Sequence, residues 1–333
     1  MLILVLLAYA KWGVRFTRES AAGRIGTGML LGMIGLALVW LSQVPFQLAE
    51  VWWDRRYDQT ESGYVETLFA NWIALGAEFL FVSFALVIVM ALAGHFPRRW
   101  WLAAAPVFVG LAALFAFVMP YFSITDPLDD RELAADARTY ARQQGIEPVR
   151  IEVEDVTDFT SAPNAYAVGF GSTKRIVFWN TLLDNPAFDD EQVRVVLAHE
   201  LGHHSRNHIP EALGWYALFA LPGAWLIAVA TRRRGGMANP AAVPLSLLVL
   251  VVLGLLSTPI YNVVSRHMEE EADWTALETT RAPEAAEDLF ESFTIESLND
   301  PDPPAWSYLL FDSHPSVEER IELARAWRLR AAR

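Results

Sequence analysis

The sequence predicts an α-helical membrane bundle joined to a small α+β domain with a short β-sheet, and three observations carry that expectation. First, 53% of the 333 residues are hydrophobic and the mean hydropathy is +0.25, too apolar for an ordinary soluble protein of this length. Second, apolar residues gather in runs long enough to cross a ~30 Å hydrocarbon core, which takes roughly 20 residues of helix. Third, the net charge of −13 lies mostly outside those runs, in two polar stretches whose patterns mix helix with strand.

The runs are 29–49, 67–94 (without Lys or Arg), 100–122, 212–230 and 242–264. The N-terminal "MLILVLLAYA" is too short for a full span and reads as a partial sixth. It also resembles a signal-peptide core, though no cleavage site follows clearly. Asn71 and Glu78, seven apart within the second run, could face a polar cavity, because a buried acid in a span is costly and usually functional or paired. The expected organisation is therefore 1–122 as N-terminal transmembrane helices, 123–210 as a polar domain, 211–264 as two further transmembrane helices, and 265–333 as the C-terminal part of the polar domain. Loops 11–28, 95–99 and 231–236 hold four, two and three Lys or Arg, whereas loop 50–66 holds two and is acidic. The positive-inside rule then favours the non-cytoplasmic face for the polar domain.

Within 123–210, "DPLDDRELAADARTYARQQG" reads as a helix, with Asp129 and Glu132 as a capping box and Gly145 as its stop. "VRIEVEDV" alternates like a strand. "NAYAVGFG" and "KRIVFWNTLL" read as two strands with a hairpin-like link. A second helix covers "DDEQVRVVLAHELGHHSRNH", capped by Asp189 with Gln192 three residues on and ended by Pro210.

That second helix carries the chemistry. His199 and His203 lie four apart and share one face, so two imidazoles can hold one metal ion. Glu200 sits beside the first of them, completing H-E-x-x-H, the metalloprotease helix motif. Zinc lowers the pKa of its water toward ~7, and a carboxylate in that position takes the proton and passes it to the leaving amine. Taken alone, five residues with three fixed positions also occur by chance in unrelated helices. His204 and His208 form another i, i+4 pair without an adjacent carboxylate, and read as solvated or as supporting the metal ligands. Gly202 inside a helix costs ~1 kcal/mol relative to Ala, so something approaches the backbone closely there. A catalytic zinc also needs a third protein ligand and an open position. The acidic tract "VVSRHMEEEADWTAL" offers Glu269 and Asp273 on one helical face, with Glu270 near it and Glu271 pointing away.

At this point the residues resemble a known family. "LAHELGHH", "SRHMEEEAD" (S-R-x-x-E-x-x-A-D), "PNAYAVGFGSTKRIVFWNTLLDN" and "FDSHPSVEERI" (H-P-x-x-x-x-R-I) are similar, as an ordered set, to blocks of the integral-membrane zinc metallopeptidases of the type I CAAX prenyl protease family, which includes bacterial heat-shock membrane proteases. The likeness covers about 123–325, and "VPFQLAEVWWDRRYDQT" weakly resembles a further loop. It implies a zincin-like metallopeptidase domain holding one Zn2+ per chain through His199, His203 and Glu269. It also implies Glu200 as general base and Asp273 as a carboxylate beside the zinc that orients a ligand histidine. Asn164 and His314 would hydrogen-bond the substrate carbonyl and its oxyanion, and Arg320 would be structural or pair with an acid near the zinc. The family's prenyl proteases have seven spans and this chain at most six.

The expected function is a membrane-embedded zinc endopeptidase in a bacterial-type inner membrane. Its partners would be the lipid bilayer and peptide or membrane-protein substrates, for processing or quality control. The segment from Asn164 to Gly169 would form an edge strand to which a substrate peptide adds. The alternatives are a CAAX-type processing protease for lipidated substrates and a non-enzymatic membrane scaffold with a closed, structural zinc site. With no cysteine, disulfides, thiolate nucleophiles and Cys-ligated zinc are excluded. Without a basic stripe to neutralise phosphates, nucleic acid is not expected as a partner.

Overall fold

The computed structural model describes residues 15, 20–57, 59–298 and 300–333. The short N-terminal apolar run lies outside the described residues. Two compact units share the chain. One draws on residues up to Tyr57, on Ser62–Ala112 and on Gly214–Leu256; the other on Asp58–Glu61, Ala113–Leu213 and Ser257–Arg333.

Among the described residues, five helices are long and apolar enough to cross a membrane: α1 (Gly23–Arg56), α2 (Tyr64–His95), α3 (Trp100–Val118), α7 (His208–Thr231) and α8 (Val243–Thr280). The chain is thus a multi-pass membrane protein. Leu80 and Phe81 of α2 and Leu255 and Leu256 of α8 are exposed, as side chains that face lipid must be, since their stabilisation comes from leaving water rather than from a protein core. Glu78 is also exposed and Asn71 half-buried. Inside the first unit, Leu86, Met90, Trp100, Ala104, Val243 and Leu247 close a buried cluster.

The second unit holds a four-stranded mixed sheet of β1 (Asp126–Pro127), β2 (Arg150–Glu154), β3 (Ala165–Val168) and β4 (Arg175–Trp179), in the order β1-β2-β4-β3. The β2–β4 pair is parallel and β4–β3 antiparallel, which leaves β3 on an edge. The remaining helices are α4 (Arg131–Gln143), α5 (Asn180–Leu183), α6 (Asp190–Ser205), α9 (Pro283–Glu296), α10 (Ala305–Phe311) and α11 (Val317–Ala331). One core joins all of these but α10. Ile176 and Phe178 of β4 meet Val196, Leu197 and Leu201 of α6, with Ala276 of α8 and Leu289 of α9. Helix α6 is central, buried over most of its length.

Two boundaries differ from expectation. Helix α4 is capped by Asp130 rather than Asp129, because Asp130 Oδ1 accepts from the free N–H groups of Glu132 (2.8 Å) and Leu133 (3.1 Å). It stops at Gly145 as expected, with φ +72°. The helix capped by Asp189 and Gln192, a reciprocal pair at 2.9 and 2.8 Å, ends at Ser205 rather than at Pro210. Asn207 takes a left-handed conformation, φ 62°, and α7 starts anew at His208. Pro210 falls in the first turn of α7, where its missing N–H has no helical partner to lose. His204 and His208 therefore do not share a helical face. His204 is buried in the core, its Nε2 3.1 Å from the Arg175 carbonyl of β4, where burial lowers its pKa to about 4. It is not the solvated group that the sequence also allowed.

Candidate metal centre

Helices α6 and α8 bring three donor side chains together. His199 and His203, one turn apart on α6, point their Nε2 atoms at each other across 3.1 Å. Glu269 of α8 places Oε2 3.2 Å from His199 Nε2 and Oε1 3.6 Å from His203 Nε2. The helices approach this closely because of Gly202: a Cβ there would lie 3.2 Å from Ala272 Cα and 3.3 Å from its carbonyl oxygen.

The donors fit a zinc ion. Bonds of about 2.0–2.2 Å to N and O ligands make the edges of a coordination tetrahedron about 3.3–3.6 Å long, close to the separations seen. Glu269 Oε2 is buried and has no hydrogen-bond partner, an acceptor that a cation would satisfy. Among the described residues this is the one group of three metal-binding side chains whose ligand atoms all lie within 4.8 Å of one another. The site's electrostatics also call for positive charge. Burial penalises the charged form of His199, yet its hydrogen bond to Asp273 and the Glu269 carboxylate beside it outweigh this and push its pKa up to about 10. Burial, followed by the charge on His199, drives His203 down to about 3. A proton on His199 thus occupies, in the metal-free chain, the place of a cation.

Both histidine donors are held from behind. His199 Nδ1 lies 2.8 Å from Asp273 Oδ1, and Asp273 is clamped by Arg320 of α11, Nε to Oδ2 at 2.8 Å and Nη2 to Oδ1 at 2.6 Å. Arg320 therefore pairs with an acid next to the centre, one of the two roles the sequence left open. His203 Nδ1 lies 2.9 Å from His208 Nδ1.

The catalytic candidates line one cleft of about 530 Å³, which also exposes His199 and Glu269. Glu200 is buried, and burial pushes its carboxyl up to about 7 against the opposing pull of a charged His199. The backbone N–H of Ala167 on the edge strand acts in the same direction as His199 and lowers it. Asn164 immediately precedes β3; its carbonyl accepts from Trp179 N–H at 2.9 Å, and its side chain is at the surface. His314 comes from the loop between α10 and α11, its Nε2 3.6 Å from Glu269 Oε1 and its side chain 61% exposed. Arg266 holds that loop: its Nη1 donates to the carbonyls of Tyr308 (3.1 Å) and Asp312 (2.6 Å), and its guanidinium stacks 4.2 Å from the Tyr308 ring.

All seven predicted residues thus surround one place. Arg266 stands at the Arg of the S-R-x-x-E-x-x-A-D block, but sequence reasoning gave it no role. It also missed the Ala167 N–H, for which no signal exists.

Residues 127–328 match Peptidase family M48. The chain belongs to peptidase family M48. Membership in M48 implies a metal, and the His199, His203 and Glu269 donors are where this chain could hold it. This M48 chain is 30% identical over 280 residues to the uncharacterized metalloprotease YhfN of Bacillus subtilis, covering 80% of this chain and 64% of that protein. It is 30% identical over 215 residues to the CAAX prenyl protease 1 homolog of Arabidopsis thaliana, covering 61% and 50% respectively. It therefore spans less than two thirds of the length of these relatives. Its fold is like that of S. mikatae Ste24p, with a TM-score of 0.77 and 22% identity over 94% of this chain and 79% of that one.

Proposed function

We propose that this chain is a membrane-embedded zinc endopeptidase, with His199, His203 and Glu269 as ligands of one Zn2+ and Glu200 as the general base. The observation that carries this reading is the convergence of three donors from two helices with a buried carboxylate beside them. When bound, zinc supplies Lewis acidity, polarising a carbonyl and making water acidic enough to lose a proton near neutral pH. The chain's residues do the rest. Glu200 takes the proton of the attacking water and returns it to the departing amine. The Ala167 N–H and the surrounding burial keep its carboxylate in place. Asn164 and His314 donate to the substrate carbonyl and to the oxyanion formed from it. The open edge of β3 receives the substrate backbone as an added strand, favouring extended peptides with little sequence choice.

The apolar run 242–264 and Glu269 belong to one uninterrupted helix, about 8 Å apart along its axis at ~1.5 Å per residue. This favours substrates cut near a bilayer surface, membrane proteins or peptides bound there. The Glu200→Gln chain tests the mechanism. It should keep its zinc and fold and lose cleavage of casein; retained cleavage would exclude Glu200 as the base.

A narrower reading is processing of lipidated substrates, favoured by the similarity to proteins named CAAX prenyl proteases. Comparing cleavage of a prenylated peptide with its unmodified twin decides between them: equal rates support the broader activity.

A further inference from the structure

The tract "HSRNH", just after the metal-binding pair, has no part in the proposed chemistry. Its last histidine is nevertheless 3% exposed and folded back onto the site. The left-handed turn at Asn207, a conformation Asn tolerates better than most residues, reverses the chain after α6. The His208 ring then meets the His203 ring edge to face, with centroids 5.0 Å apart and planes at 75°. Its Nδ1 is 2.9 Å from His203 Nδ1, and its Nε2 is 3.2 Å from Glu271 Oε2.

One assignment of protons satisfies the whole chain of contacts. A neutral imidazole has one donor and one acceptor nitrogen. If His203 offers the lone pair of Nε2 to a metal, its proton is on Nδ1. The two facing Nδ1 atoms share a single proton, so His208 accepts there. The proton of His208 is then on Nε2 and points at a carboxylate oxygen, which only accepts. The arrangement mirrors that behind His199, where Asp273 and Arg320 stand in line.

We propose that His208 and Glu271 are positioning residues that fix the tautomer and orientation of His203 so that its Nε2 faces the metal. The inference rests on the metal-centre reading above. It also removes His208 as the fourth ligand of a closed structural site, because both its nitrogens are engaged away from the donor triad.

The test is zinc affinity of the full-length chain, by competition with a chelating dye, together with the visible spectrum of its Co(II)-substituted form. His208→Ala should weaken zinc binding by about 10- to 100-fold, the usual effect of losing a group that orients a ligand, and shift the cobalt bands. His208→Asn, whose amide oxygen can accept from His203 Nδ1, should recover most of both. Glu271→Ala is at a partly exposed position and should fold; it should weaken zinc binding less, and add almost nothing in the His208→Ala background because it acts through His208. His208→Ala binding within about twofold of the unmodified chain, against the loss expected for such a group, would overturn the inference, as would equal losses from Glu271→Ala in both backgrounds. If the unmodified chain binds no zinc, the metal-centre reading itself fails and this one with it; if it binds zinc and these variants match it, only this inference fails.

Discussion

Gly202 of α6 lies so close to Ala272 of α8 that a side chain could not begin there without pressing on backbone, its Cβ falling 3.2 Å from Ala272 Cα. This contact sets the spacing of the two helices that carry the three metal donors. Gly202→Val should push them apart and lower zinc content steeply, with unfolding measured in the zinc-free state destabilised on the order of 1–3 kcal/mol, as overpacking usually is. Unchanged zinc content by atomic emission would show that the spacing is set elsewhere.

Arg320 and Asp273 make a buried two-bond clamp behind His199. Arg320→Met takes from the buried Asp273 charge one of its two partners and leaves it only His199 Nδ1, a change that costs up to about 3–5 kcal/mol; denaturant unfolding of the zinc-free chain should show it. Asp273→Asn keeps the shape but removes the charge that orients His199. It should lower zinc affinity by about 10- to 100-fold, with a smaller loss of stability. Equal zinc affinity in the Asn variant would argue that the carboxylate is not needed for orientation.

Because His199 holds a proton up to about pH 10 in the metal-free chain, zinc must displace it. The raised pKa sets the sign: the free form binds the proton more tightly than the bound form, so zinc affinity rises with pH through the neutral and mildly alkaline range. About one proton should be released per zinc near pH 8. Titration calorimetry in buffers of different ionisation enthalpy measures this, and heats independent of the buffer would contradict it.

His314 lies on a loop pinned by Arg266 through the carbonyls of Tyr308 and Asp312. His314→Ala should lower kcat by about 10²-fold, the effect of losing an oxyanion donor, with KM and zinc content little changed. Arg266→Met should act in the same direction and more weakly, by freeing the loop. A change confined to KM would assign His314 to substrate binding.

The amino-acid order alone determined a good part of this protein. Apolar runs of span length are local facts, and so are the i, i+4 pair at His199 and His203, the cap at Asp189 and the alternation of Arg150–Glu154, because helix and strand periodicity need no knowledge of distant residues. Where local rules compete, as at the adjacent Asp129 and Asp130, the boundary moved by one residue. The reading of His204 and His208 as a helical pair failed at Asn207, whose left-handed backbone ends α6 before α7 begins at His208. The resemblance of the S-R-x-x-E-x-x-A-D block already singled out Glu269, which the tertiary structure brings against the histidines; only the tertiary structure decided what Arg320 clamps and that His208 and Glu271 stand behind His203. These contacts join residues up to 74 positions apart, as His199 and Asp273 are, and a side chain's partner across such a distance is set by helix packing at points like Gly202 and Ala272, whose pairing no local pattern encodes.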